Sequence, residues 1–220
     1  MSSLFFDCSK GLSGPLVVGA LCDLGVKPSL LEWDLAQVDL GEFHAHFERV
    51  TEGGVTGVKF SIHTGAVHTP DQDEKHDHKH DQGAHDHHEC EHDHDHGHDE
   101  KCVHSIPKLM TSVKASNLSD SVKLRIGTVL ARLGQTHDAL SLDEAAAVIC
   151  ATSALDALKP ERVAFFCREG TMDMTIDSGS AFAAEFVSSS ESLPWLKEMT
   201  TGHGLGGDGQ SLRAVLGDQS

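Results

Sequence analysis

The chain has 220 residues, 39% of them hydrophobic, and a formal net charge of -17. That length suits one domain with a buried core and a long insertion. The acidity argues against nucleic acid and anionic membrane, both of which favour basic patches. It favours cations, and no run approaches the roughly 18 apolar residues that a bilayer-spanning helix needs.

The N-terminus, MSSLFFDCSKG, lacks a basic start and an apolar stretch, so a cytoplasmic protein is expected. Cys8, Cys22, Cys90, Cys102, Cys150 and Cys167 are irregularly spaced with no C-x-x-C, which in a reducing compartment implies thiols rather than disulfides.

In chain order, residues 3–8 (SLFFDC) read as a buried strand. Gly11, Ser13 and Gly14 form a tight turn. Pro15 suits a helix start, and PLVVGALCDLG follows with Gly25 as C-cap. A second helix is expected over Pro28 to Val38. FHAHFERVT alternates, with Phe43, Ala45 and Phe47 on one side and His44, His46 and Glu48 on the other. Gly53-Gly54 and the alternating VKFSIH complete a β-hairpin.

Residues 70–104 are almost purely polar, and the segment from Asp71 to His104 carries twelve Asp/Glu against three Lys. With no apolar surface to bury, this block cannot offset its own ordering entropy, and a disordered loop is expected without metal. Three sections follow: 1–69, the loop 70–104, and 105–220, with the first and last forming one domain. After the loop, Pro107 opens a helix. Leu118-Ser119-Asp120 caps another, with apolar residues at 122, 124, 126, 129, 130 and 133. Asp143 to Leu158 reads as a buried helix ended by Pro160, and Val163 to Cys167 as a buried strand. Residues 180–190 read as a helix, and TTGHGLGGDGQSLRAVLG as a glycine-rich turn and terminal strand. The fold class is α+β or α/β: a small sheet packed by helices, with the loop projecting from one end.

His76, His78, His80, His85, His87, His88, His92, His94, His96, His98 and His104 lie in or beside the loop. Neutral imidazole is a strong ligand for Ni²⁺, Cu²⁺, Zn²⁺ and Co²⁺, and interleaved carboxylates lower the local potential. The spacing fits no fixed zinc site. It predicts several exchangeable sites suited to storage or delivery; the plainer reading is a solvated linker that binds metal incidentally.

The order of features around this block resembles the LarC nickel-insertion family. Leu4 to Gly25, LFFDCSKGLSGPLVVGALCDLG, is similar to that family's opening strand, Gly-rich turn and helix. GVTGVKFSIH resembles its second strand signature, followed by a histidine-rich insertion. Asp143 to Val163 resembles its apolar helix, and Gly202 to Gly217 its terminal turn and strand. Where the family has Gly-Asp-Met, this chain has Gly14-Pro15-Leu16. The family's His-x-His-Glu-Val-Gly-Ala-x-Asp pattern survives as His137, Asp138 and Asp143. The family's C-terminal domain has no counterpart in these 220 residues.

The resemblance implies nickel as the leading metal and a nickel-pincer cofactor precursor as small-molecule partner. It also implies a separately encoded C-terminal domain or nickel enzyme as a further partner. A nickel-inserting lyase is one functional class, with Asp7, Cys8, His137 and Asp143 as reacting groups and Gly11, Ser13 and Gly14 holding the organic ligand. No organic cofactor is expected in this chain alone. A non-catalytic nickel or zinc metallochaperone or store is the alternative. Bland roles compete at each position: a packing turn at Gly11–Gly14, a helix cap at Asp143, a surface histidine at His137, a turn residue at His203, and a solvated strand face at His44 and His46. No G-x-S-x-G or H-E-x-x-H motif appears.

Overall fold

The computed structural model describes residues 2–64, 103–166, 178–186 and 196–219. Strand β1 (Ser2–Lys10) alternates, with Leu4, Phe6 and Cys8 in the main core and Phe5 buried on the opposite face with Ala164 and Val215. Burial on both faces explains the unbroken apolar run. Helix α1 (Gly14–Asp23) follows, with Pro15 in the first turn, where its missing N–H costs nothing. Its end is a Schellman motif: the Gly25 N–H donates to the Cys22 carbonyl and the Val26 N–H to the Leu21 carbonyl, with Gly25 at φ 111°. Helix α2 (Pro28–Leu35) is shorter than expected and closes in a turn.

The hairpin forms as anticipated from β2 (His44–Glu52) and β3 (Val55–His63). Gly53 and Gly54, at φ 56° and 81°, supply the two positive φ values of a tight type I′ turn. Beyond residue 102 comes a pairing the sequence did not suggest: β4 (Val103–Ser105) lies antiparallel to β5 (Ala139–Ser141). Between them run α3 (Ile106–Ala115) and α4 (Asp120–Leu133); Ser119 caps α4 by accepting from the Val122 N–H. Leu124, expected on the buried stripe of α4, is 73% exposed.

Helix α5 (Leu142–Leu158) is capped by Ser141 in a reciprocal box with Glu144, so the cap is not Asp143. Residues 145–151 of α5 are all buried, in keeping with a helix apolar all round. Strand β6 (Arg162–Phe166), helix α6 (Ser178–Phe186), strand β7 (Leu196–Leu205) and strand β8 (Ser211–Gln219) complete the described chain. Cys167 and residues 187–190, expected to extend β6 and α6, lie outside the described residues.

The six-stranded sheet has the order β2-β3-β7-β8-β1-β6. Strands β1, β3, β6 and β7 run one way, and β2 and β8 the other. This mixed sheet with helices packed on it confirms the α+β reading. Helix α1 packs on β3, β7 and β8 and also on α5, which in turn meets α2, α4 and α6.

One expectation is corrected. Gly202-His203-Gly204 is not a turn but the end of β7, and the turn is Gly206–Gln210. The glycines serve contact instead. A Cβ at Gly204 would overlap the Leu16 carbonyl, one at Gly202 the Ala20 carbonyl oxygen, and one at Gly19 the Val58 carbonyl. Helix α1 therefore lies on the sheet at backbone contact.

Gly204→Ala should lower stability by about 1–3 kcal/mol through overpacking, whereas Gly127→Ala, mid-helix with open space around it, should raise it by about 0.5–1 kcal/mol; thermal melts of both variants check the pair. Cys22 and Cys150 carry a second expectation. Burial, with a smaller contribution from Asp23, pushes the Cys22 thiol up to about 12, and burial also raises Cys150. Both should resist alkylation at pH 8 until the chain is denatured, as peptide mapping would show. The stabilisation that Cys22 contributes is complete below the ordinary thiol value of 9.0 and is lost as pH rises from there toward about 12.

Candidate functional site

Two places gather the chemistry. The first is a cleft of about 190 Å³ at the carboxyl end of β1, lined by Asp7, Ser9, Lys10, Val55, His203, Ser211 and Arg213. It exists because β8 runs between β1 and β7, aligning Asp7 with Arg213 and Arg213 with His203 in one cross-strand row. Asp7 Oδ2 lies 3.4 Å from an Arg213 guanidinium nitrogen. Asp7 Oδ1 accepts from the Ser9 N–H at 3.1 Å and the Ser9 hydroxyl at 2.5 Å. An irregularity in β1 between Asp7 and Lys10 lets both residues reach the cleft.

His203 is held from behind: its N–H donates to Asp23 Oδ2 at 2.9 Å, while Asp23 Oδ1 accepts from Arg49 at 2.8 Å. An acid in the last turn of a helix is unfavourable against the helix dipole, and these two donors offset it. Chemically, the Lys10 ammonium, the Arg213 guanidinium and the Ser211 hydroxyl suit a carboxylate or phosphate. Asp7 offers an oxygen acceptor beside them.

The second place is the N-terminal end of α5, where the chain leaves for and returns from the histidine block. Asp143 Oδ1 accepts from the Ile62 N–H at 3.3 Å, tying α5 to the end of β3. On the returning side His104 pairs in register with Leu140, and the Ile106 N–H donates to the Asp138 carbonyl at 3.1 Å. His137 is exposed at the end of α4, its N–H donating to the Leu133 carbonyl. His104 is half-buried, and its Nε2 is shut off from solvent with no hydrogen-bond partner among the described residues. A desolvated, unpartnered nitrogen of this kind costs about 1–3 kcal/mol.

The residues singled out from the sequence are thus divided. Asp7 lines the cleft. Cys8, next in the strand, faces the core and is 1% exposed, so the two do not share a site. His137 and Asp143 belong to the α5 end. Gly11, Ser13 and Gly14 line neither: Gly14 is buried against Ala147 and Ser178, and Gly179 closes on the Ser13 backbone. His76, His78, His80, His85, His87, His88, His92, His94, His96 and His98 lie outside the described residues, as do Cys90 and Cys102. Among the described residues, no group of three or more His, Cys, Asp or Glu side chains is arranged to hold a metal ion, and no helix is long and apolar enough to cross a membrane.

The sequence reading missed Ser9, Lys10, Val55, Ser211 and Arg213, and left His203 undecided. No local signal marks them, because they meet through strand order rather than spacing.

Comparison with known proteins gives a consistent result. The family model described as nickel insertion protein matches residues 4–167. A protein of Desulfitobacterium hafniense, named as a pyridinium-3,5-bisthiocarboxylic acid mononucleotide nickel insertion protein, is 37% identical over 70 residues, 31% of this chain and 17% of its own length. A putative nickel insertion protein of Gloeobacter violaceus is 40% identical over 72 residues, again 31% and 17% of the two chains. A protein of Geobacillus kaustophilus with the first of these names is 34% identical over 62 residues, 28% of this chain and 15% of its own. The matches thus span about a sixth of the length of these relatives. No solved structure matches. With a family match covering most of its length, and the strand, turn, helix and buried α5 in the places the resemblance requires, the chain belongs to the nickel insertion protein family.

Proposed function

We propose that the chain collects Ni²⁺ on the histidines from His76 to His104 and presents it for insertion into a pyridinium bisthiocarboxylate mononucleotide, the compound named for its relatives. The observation that carries this reading is His104. It is the last histidine of the block, and at the point where the chain rejoins the fold it holds a buried Nε2 that no described residue partners. In the tautomer that leaves Nε2 unprotonated, a metal ion bound there would give this nitrogen a partner.

Nickel is the cargo in this scheme. Imidazoles hold it as exchangeable neutral ligands, and the sulfur atoms of the precursor, softer donors, take it over. The precursor's negative groups match the Asp7 cleft, where Lys10 and Arg213 would hold a phosphate or carboxylate and the Ser211 hydroxyl would orient it. Asp7, already facing Arg213, would keep that guanidinium in place. In a lyase assembly, the remaining chemistry falls to a partner such as a separately encoded C-terminal domain.

A second reading, a metallochaperone without insertion activity, is favoured by one observation. Asp143, a residue the resemblance would place in the reaction, spends its carboxylate on the Ile62 N–H. Binding of the organic ligand separates the two readings.

Titration of Ni²⁺ into the full chain and into a full-length variant with Asn at His76, His78, His80, His85, His87, His88, His92, His94, His96 and His98 should show most bound nickel lost in the variant. Equal stoichiometry in both would remove the block from the scheme. Arg213→Ala should weaken binding of the bisthiocarboxylate mononucleotide by about 10–150-fold, the range for one charge-assisted hydrogen bond of about 1.5–3 kcal/mol. Unchanged affinity would place the ligand elsewhere, and no binding to the unmodified chain would favour the chaperone.

A further inference from the structure

The outer face of the β2–β3 hairpin carries imidazoles that neither the cleft nor the α5 end uses. The two-residue turn at Gly53-Gly54 fixes the register, so that His44 stands across from His63 and His46 across from Ser61. Alternation turns Phe60 and Ile62 into the core and leaves His44, His46 and His63 exposed on the other side. All three are therefore on the hairpin face that solvent reaches.

Two of them are in ring contact, edge to face. The rings of His46 and His63 have centroids 5.1 Å apart at an interplanar angle of 65°. An ion bound by two imidazoles at about 2.0–2.1 Å sits about 3.2 Å from each ring centre, so ligands at 90–110° to one another have centroids about 4.5–5.2 Å apart. The observed pair falls inside that interval without rearrangement of the backbone. A solvated strand face accounts for the exposure of these histidines, but it does not require two rings at chelating distance. The Ser61 hydroxyl lies 3.5 Å from His63 Nε2 and can orient that ring.

We propose that His46 and His63 form a chelating site for a divalent transition-metal ion, outside the histidine block. Both ligands are neutral nitrogen donors, which suits Ni²⁺, Cu²⁺ or Zn²⁺ over Mg²⁺ or Ca²⁺. His44, directly across from His63, supplies a third imidazole after a change of rotamer, and water completes the shell. The ion would cross-link β2, the edge strand of the sheet, to β3. The site does not depend on the block for its ligands, so it stands or falls separately from the nickel-collecting scheme.

The test uses the full-length chain with Asn at the ten histidines from His76 to His98 and at His104, so that no imidazole of the nickel-collecting block remains, titrated with Ni²⁺ and with Zn²⁺. One equivalent should remain bound and should raise the melting temperature, as a ligand specific for the folded state does. Adding His46→Asn or His63→Asn should weaken that residual binding by at least about tenfold and abolish the thermal shift, with circular dichroism unchanged. Residual binding that survives both substitutions, or no residual binding at all, overturns the site. If the block-substituted chain binds as many ions as the unmodified one, the block reading fails, and the His46 and His63 substitutions still decide this one.

Discussion

The fold turns on the backbone contact between helix α1 and the strands beneath it. Gly19 of the helix and Gly202 and Gly204 of β7 leave no room for a Cβ, so α1 settles deeper onto the sheet than side chains would permit. Three consequences follow from that depth. Asp23 reaches the His203 N–H and Arg49, locking the helix end to β7 and to the hairpin. Gly14, at the other end, meets Ala147, seating α5 against the helix. And α5, so placed, offers Asp143 to the end of β3. The cleft side and the histidine-block side of the molecule are both positioned by one close-packed helix.

This arrangement separates two kinds of recognition. The row Asp7, Arg213 and His203 is built on paired central strands, where side-chain positions are well determined and an anion can be held in one orientation. The α5 end is where the long polar segment departs and returns, and in the proposed scheme the ligands there are imidazoles, which exchange metal readily. A protein that must hold a small organic anion and pass it a metal ion benefits from this division, because a rigid site for one need not restrict delivery of the other. Cys8, Cys22 and Cys150 are buried within the core.

Much of this was legible in the sequence. The apolar run Leu4 to Cys8, the glycines after it, Pro15 and the spaced aliphatics of α1 all pointed to strand, turn and helix, and the packing agreed. The hairpin was equally plain, and its two-residue turn sets His63 across from His44. The capping box Ser141-x-x-Glu144 was present as well, yet Asp143 drew attention as the cap. Other features had no local signal. Glycine is ambiguous between turning and close approach, so Gly202 and Gly204 read as a turn. Strands of three residues, such as β4 and β5, are too short to show a period. Arg213 and His203 join Asp7 only because β8 inserts between β1 and β7, and strand order is a property of the whole sheet.

The central claim is that imidazole-held nickel passes to the sulfur atoms of the precursor. Nickel K-edge X-ray absorption on the full chain loaded with one equivalent of Ni²⁺, before and after adding the bisthiocarboxylate mononucleotide, tests it most directly. The account predicts a nitrogen and oxygen shell with imidazole scattering at first, replaced by sulfur scatterers once the mononucleotide is present. A first shell without imidazole, or one that stays unchanged on adding the mononucleotide, would contradict it.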